Sequence, residues 1–144
     1  MPAAPALVRA GAQRTARPRR RRRRRRWPTP VTRTPQQQKG DDAEARAAVF
    51  LEGQGLRVVA RNVRAGRGEL DVVARDGDVV VFVEVRRRKT RVDGLESIGP
   101  RKQKVLARSA AWWLAHNEPA ARARFDVVVV VGARVHHVVD AFRP

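Results

Sequence analysis

The chain has 144 residues, enough for one domain with a hydrophobic core, and carries a formal net charge of +18 without a single cysteine. The absence of cysteine excludes disulfides and thiolate metal sites, and the charge favours a polyanionic partner such as nucleic acid. Apolar stretches are far shorter than the roughly 20 residues of a membrane span, so we expect a cytoplasmic protein with no membrane partner.

The positive charge is concentrated at the amino terminus. Residues 1–40 hold 13 Lys and Arg and no acid, whereas the rest of the chain holds 19 against all 14 acids. The arginine run 19–26 and frequent prolines predict that residues 1–38 form a disordered tail. Two interpretations of this tail stay open: a nonspecific nucleic-acid arm, or an accidental extension such as a start codon placed too far upstream.

Residues 39–144 are predicted to form one folded domain. A helix capped by Gly40 or Asp41 is expected to end at Gly53–Gly55. A second helix is expected from Pro100 to about Asn117, after a loop over 90–100. Valine-rich, alternating or continuous apolar runs predict strands at 56–64, 70–74, 79–85, 124–131 and 135–142. The order α-β-β-β-α-β plus one strand indicates an α/β domain with a mixed central sheet flanked by helices.

Acidic residues interrupt the second and third predicted strands. Residues two apart on a strand share a face, so Glu69 lies with Asp71, and Glu84 lies with Arg86. If Arg75 pairs with Asp78 across a tight turn, Glu69 lies opposite Glu84 and Asp71 lies diagonally from it. Opposed like charges destabilise a sheet, so the cluster requires a counter-ion. Oxygen ligands without cysteine favour Mg²⁺ or Mn²⁺. The alternative is a solvated face on which Arg67 and Arg86 pair with the acids.

A dense basic segment follows the third strand. Its positions are Arg86, Arg87, Arg88, Lys89 and Arg91. Because it comes directly after the acidic cluster, we expect it to contact the backbone of DNA or RNA; the alternative is a solvated charge run.

Five further residues receive structural or weaker functional interpretations. Asp126 is expected to pair with Arg124 or to cap a turn, and the adjacent His136 and His137 point to opposite faces of a strand, which argues against a metal pair. Trp113 falls on the apolar stripe of the second helix. Trp112 falls outside it and is the better surface candidate for stacking on a base.

The same residues carry a family resemblance. The strings 68–77 (GELDVVARDG) and 82–86 (FVEVR), together with 40–51, Arg61-Asn62, Lys102, 124–126 and Ala141-Phe142, resemble the YraN family of bacterial proteins. The resemblance covers about residues 39–142. It implies a restriction-endonuclease-like fold of the PD-(D/E)XK type with an αβββαβ core, similar to Holliday junction resolvases.

The resemblance also implies roles for single residues. Asp71 and Glu84 match metal-binding acids, and Glu44 matches a helix-borne acid that resolvase-like nucleases add to the metal shell. Arg86 stands where the superfamily pattern has lysine. Arginine stays protonated and acts only electrostatically, so Lys102 is a possible substitute cation.

Together these features predict a nuclease that uses Mg²⁺ or Mn²⁺ to hydrolyse structured or branched DNA. Glu44, Asp71 and Glu84 are the expected metal ligands, with Glu69 as a further ligand or support, while Arg86 and Lys102 stabilise phosphate charge. A homodimer is plausible, since a junction offers symmetric cuts. The alternative is a non-catalytic module on the same fold that binds nucleic acid or ribosomes.

Overall fold

The computed structural model describes residues 34–144, so the predicted tail lies outside the described residues except for residues 34–38. The described chain contains three helices and five strands. In chain order they are α1 (Pro35–Gly53), β1 (Arg57–Ala65), β2 (Gly68–Asp76), β3 (Val79–Arg87), α2 (Arg91–Glu96), α3 (Pro100–Asn117), β4 (Arg122–Val131) and β5 (Arg134–Phe142). The predicted α/β order is confirmed, with one additional short helix.

Helix α1 begins six residues before the predicted start at Asp41. The Thr34 hydroxyl accepts a hydrogen bond from the Gln37 backbone, and the Gln37 side chain accepts one from the Thr34 backbone. This capping box, with Pro35 in the first turn, satisfies amide groups that a helix start leaves unpaired. Residues 35–38, assigned by the sequence to the tail, are therefore helical.

The five strands form one mixed sheet in the order β1-β2-β3-β4-β5. All neighbours are antiparallel except β3 and β4, which are parallel. A parallel pair requires a long crossover, here supplied by α2 and α3. The prediction of a loop over 90–100 was wrong in part, because Arg91–Glu96 form the short helix α2. Thr90 caps this helix by accepting a hydrogen bond from the Asp93 backbone at 3.1 Å.

The core lies on both faces of the sheet. One face packs on α1 through Ala43, Ala47 and Leu51, and the other packs on α3 through Ala110 and Trp113. Leu106 and Ile98 extend the second layer over Val127 and Val129. Burial on both faces explains the nearly unbroken valine run of β4. Within residues 34–144, none of the helices has the length and apolar character of a transmembrane segment.

The register of the β2–β3 hairpin differs from the predicted one by two residues. Asp76 pairs with Val79 and Val72 with Val83, so the turn is Gly77-Asp78. Gly77 has a φ of +58°, which a two-residue hairpin turn accepts readily when glycine is its first central residue. The predicted pairing of Glu69 with Glu84 was therefore wrong: Glu69 pairs with Arg64 on β1, and the register directs Asp71 towards Glu84.

Strand alternation also breaks in this region. The expected pattern placed Leu70 on the face opposite to Val73, but both pack in the α3 layer. Asn62, on the neighbouring strand β1, has a φ of +51°. This left-handed conformation interrupts the extended backbone of β1. The irregular backbone at Asn62 lies beside the part of β2 that carries Glu69 and Asp71.

Candidate active site

Strands β2 and β3 separate at the acidic residues. Their ladder stops at Val72 and Val83, while β2 stays paired with β1 and β3 with β4. Beyond this point, which we call the fork, the backbone amide of Val85 donates to Asp71 Oδ2 at 2.9 Å. In a regular ladder the Val85 amide would bond to a backbone carbonyl of β2. The Asp71 carboxylate takes the place of that carbonyl and lies in the opening between β2 and β3.

Glu84 lies in the fork and is contacted by two cations. Only 5% of its surface is exposed. Arg86 contacts Glu84 Oε1 at 3.1 Å, and Lys102 Nζ contacts the same oxygen at 3.3 Å. Lys102 comes from the first turn of α3, so β3 and α3 meet at this carboxylate. The alternative of a fully solvated acidic face is excluded for Glu84, although its predicted pairing with Arg86 is present.

Glu44 reaches the same region from α1. Asn62 donates a side-chain hydrogen bond to it, and Asp71, Glu69 and Arg61 all act on its charge. The carboxylates of Glu44 and Glu84 are therefore both electrostatic neighbours of Asp71.

Burial and like charge perturb both glutamates. Burial, followed by the charge of Asp71, raises the pKa of Glu44 to about 7. The same two causes raise the pKa of Glu84 to about 7, against the lowering influence of Lys102 and Arg86. Raised carboxyl pKa values caused by burial and a second acid are common at functional sites, where a bound ligand or cation interacts with the carboxylates.

Whether a divalent cation fits the fork depends on which side-chain atoms could act as its ligands. Among the described residues, Glu44 Oε2 and Glu84 Oε2 are buried without a hydrogen-bond partner, and buried polar atoms normally have one. The side-chain atoms available as metal ligands are all carboxylate oxygens, which suit Mg²⁺ or Mn²⁺. As they stand, no three His, Asp or Glu side chains of residues 34–144 converge into a metal-binding group. The cluster thus provides two carboxylate oxygens that could bind a cation, but it does not form a complete set of metal ligands.

The predicted basic segment lies beside the fork. Arg87, Arg88, Lys89 and Arg91 are exposed. Arg86, Arg87 and Arg88 line a groove of about 410 Å³ together with Gln36, Lys39 and Gly40 at the start of α1. The groove combines cations from two elements that are distant in sequence, as an extended anion requires.

The structural interpretation of Asp126 is confirmed, and His137 is one of its partners. Asp126 is fully buried and accepts hydrogen bonds from Arg124, from the Asp140 backbone and from His137 at 2.8 Å. Burial alone would raise the pKa of Asp126, but these donors hold it below its ordinary value. Trp113 is buried, and Trp112 is 40% exposed.

Asn62 is the site residue that reasoning from the sequence pattern missed, since it entered only through the Arg61-Asn62 string of the resemblance. It combines a left-handed backbone with a hydrogen bond to Glu44. Asparagine within a strand-like run was the available signal, because asparagine tolerates positive φ better than most residues.

Comparison with known proteins agrees with the resemblance. The family model described as "Uncharacterised protein family UPF0102" matches residues 43–130. A UPF0102 protein of Halorhodospira halophila is 50% identical over 115 residues, covering 78% of this chain and 93% of that protein. Relatives from Bordetella avium (46% over 113 residues; 76% and 78% covered) and Klebsiella pneumoniae (42% over 111; 74% and 87%) carry the same family name.

The matched segment contains the fork, the whole of β2 and β3 and the start of α3, which are the elements that carried the resemblance to YraN. The chain therefore belongs to the UPF0102 (YraN) family.

Proposed function

We propose that the protein is a metal-dependent endonuclease that hydrolyses phosphodiester bonds in structured or branched DNA. The observation that carries the proposal is the pair of buried, unpartnered carboxylate oxygens on Glu44 and Glu84, both of which interact electrostatically with Asp71. Such an arrangement is costly in a merely structural role, because buried charges without partners destabilise a fold.

Each residue of the fork has a defined task under this proposal. Glu44, Asp71 and Glu84 would hold Mg²⁺ or Mn²⁺, with Glu69 adding negative charge at the exposed side. The chemistry available from a bound cation is stabilisation of phosphate charge and acidification of a water molecule. Lys102 and Arg86 position Glu84 through Oε1 and leave its second oxygen open. Both cations also lie where negative charge develops on a phosphate held at the fork.

The basic groove supports a nucleic-acid substrate. A phosphate backbone that enters the fork passes Arg87 and Arg88 on one side and Lys39 on the other. Contacts of this kind fix the position of a duplex without reading its sequence. A structure-directed nuclease needs binding of that type, and the αβββαβ order agrees with the restriction-endonuclease-like core that the resemblance implies.

The proposal is tested by cleavage of labelled four-way junctions, flaps, single strands and RNA with Mg²⁺ or Mn²⁺. Asp71→Ala and Glu84→Gln should each lower the cleavage rate at least about 100-fold, since loss of even an outer-shell partner costs 10–100-fold. DNA binding measured in EDTA should be retained. The matched control is Asp78→Ala, which removes an exposed acid at the far end of the same hairpin and should leave the rate unchanged.

One observation favours a second candidate, a non-catalytic nucleic-acid-binding module. Arg86 stands where the superfamily pattern implied by the resemblance has a lysine. A lysine can release its proton, whereas the Arg86 guanidinium stays charged. If the wild-type chain binds these substrates tightly but cleaves none of them with either metal, the endonuclease is rejected in favour of the binding module.

A further inference from the structure

A second surface runs along α3, away from the basic groove. Lys102, Val105, Ser109 and Trp112 recur at intervals of three and four residues and so share one side of the helix. Two clefts open along this side. The first is lined by Ser97, Gly99, Arg101, Lys102 and Val105, and the second by Ala65–Gly68, Val105, Arg108, Ser109 and Trp112. Because both include Val105, they adjoin at this residue, and together we call them the α3 furrow.

The α3 furrow starts at the fork and ends at an aromatic ring. Lys102, at one end, contacts Glu84. Trp112, at the other end, lies ten residues further along the helix, about 15 Å away at 1.5 Å per residue. That length corresponds to about four nucleotides at the axial rise of about 3.4 Å per nucleotide of a stacked strand. A strand whose phosphate is held at the fork therefore reaches Trp112 within about four nucleotides.

The far end of the furrow has the shape and chemistry of a base-stacking site. The cleft has a volume of about 360 Å³, within the range of pockets that hold small molecules. Trp112 is partly exposed there, and its indole is packed against Gly66, where a Cβ would lie 3.5 Å from the ring. His116 stacks on the indole with the ring centres 4.0 Å apart. Since His116 is not one of the cleft-lining residues, the imidazole supports the ring from outside.

The charges along the α3 furrow select a polyanion. Arg67 and Arg108 border the Trp112 end, and Arg101 borders the Lys102 end, all three exposed. Among residues 34–144, none of those that line the two clefts is acidic. An aromatic ring between arginines is the arrangement by which proteins hold single strands, through stacking of bases and contacts to phosphates. An apolar peptide or an uncharged lipid would not need these cations.

We infer that the α3 furrow binds an unpaired DNA strand that continues from the fork, with one base stacked on Trp112 and its phosphates near Arg67 and Arg108. The inference rests on the proposed function for the position of the strand at Glu84, and it specifies the substrate class as DNA with a duplex-to-single-strand transition. It assigns base stacking to Trp112, while Glu44, Asp71 and Glu84 keep the catalytic role.

Equilibrium binding in EDTA tests this site without requiring cleavage. The probes are a blunt duplex, the same duplex with a single-stranded tail of about six nucleotides, which exceeds the roughly four nucleotides above, and a tail of equal length made of abasic nucleotides. The wild-type chain should bind the normal tail at least about fivefold more tightly than the abasic tail. Trp112→Leu should abolish this preference, whereas Trp112→Phe should keep most of it. Binding of the blunt duplex should stay within about twofold throughout.

Arginine variants separate phosphate contacts from stacking. Arg67→Ala and Arg108→Ala should weaken both tails alike and reduce the slope of log K against log salt by about 0.7 each. The control is Arg57→Ala, an exposed arginine at the other end of β1, which should change neither quantity. Thermal melting confirms that each variant is folded.

Equal wild-type binding of normal and abasic tails would overturn the inference, and so would a preference that survives Trp112→Leu. Absence of cleavage with any metal would reject the endonuclease alone. A preference that depends on Trp112 in a protein without nuclease activity would then leave a single-strand-binding site on a non-catalytic module.

Discussion

Asp71 is the residue on which the electrostatics of the fork depend. It accepts a hydrogen bond from the Val85 backbone and raises the pKa of both Glu44 and Glu84. Both glutamates bind protons more tightly in the folded chain than in the unfolded chain, where their pKa is near 4.5. Their contribution to stability is therefore fully present below pH 4.5 and is lost as the pH rises through about 7.

We expect Asp71→Asn to stabilise the metal-free protein above pH 7. Asparagine can still accept the Val85 hydrogen bond, but the like charge beside Glu44 and Glu84 is gone. The gain should be about 1 kcal/mol, which corresponds to about 4–8 °C in Tm for a domain of this size. Melting in EDTA from pH 4 to pH 9 measures it. The difference from wild type should vanish near pH 4, where Glu44 and Glu84 are protonated and no longer repel the charge of Asp71.

Asp78→Asn serves as the control, because Asp78 is exposed in the hairpin turn, away from the fork. Its melting curve should follow the wild-type curve at every pH. Parallel pH profiles for wild type and Asp71→Asn would contradict the electrostatic account of the fork.

At the scale of elements, β4 and β5 are joined by a buried ion-pair network. Asp126 on β4 binds Arg124 of its own strand and His137 and the Asp140 backbone of β5. Arg124 also contacts Asp76 at the end of β2 at 2.7 Å. The network thus connects β2, β4 and β5.

Replacing Asp126 with alanine should destabilise the fold strongly. The change leaves Arg124 partly buried and removes four hydrogen bonds, and breaking a buried pair typically costs about 3–5 kcal/mol. The matched change is Asp78→Ala, which breaks the exposed Arg122–Asp78 pair at 3.1 Å and should cost less than about 1 kcal/mol. Urea denaturation at pH 7 measures both. Similar midpoints for the two variants would show that the buried network adds little stability.

The elements themselves were largely predictable, because their signals are local. Periodic apolar residues located all five strands and α3, and Pro100 marked the start of α3. The early start of α1 was also encoded locally, in the capping box of Thr34 and Gln37. Helix α2 was missed because six residues give too short a periodic pattern, and its packing depends on Gly94, where a Cβ would lie 2.5 Å from Val129.

At the scale of the whole molecule, the proposed nucleic-acid surfaces lie on two sides of one fork. The basic groove collects cations from α1 and the end of β3, and the α3 furrow collects cations from α3 and the β1–β2 turn. These surfaces belong to residues 34–144, whose charge excess is small compared with that of residues 1–33. The arginine-rich segment therefore adds charge to a chain that already has its own candidate binding surfaces.

Removal of residues 1–31 should reduce affinity for any duplex and lower the salt slope by about 0.9 for each lost phosphate contact. A chain that starts at Thr32 keeps the Thr34–Gln37 capping box, which truncation at residue 38 would destroy. The preference for a normal over an abasic tail should stay unchanged, because Trp112 is retained. Salt titrations of both chains measure the effect, and an identical slope would reject the nucleic-acid arm.

The sequence by itself determined the family, the order of elements and the identity of the acids and cations near the site. These properties are carried by contiguous strings, such as 68–77 and 82–86, and by short-range periodicity. It also placed Trp113 in the core and Asp126 with Arg124.

The tertiary structure alone decided how these residues meet. The two-residue shift of the hairpin directed Asp71, not Glu69, towards Glu84, and the alternation that had separated Leu70 from Val73 breaks on β2, beside the left-handed Asn62 of β1. The contacts of Lys102 with Glu84 and of Asn62 with Glu44, and the joining of two clefts at Val105, all bring distant elements together. Such contacts depend on the packing of helices across the sheet, which local patterns do not encode.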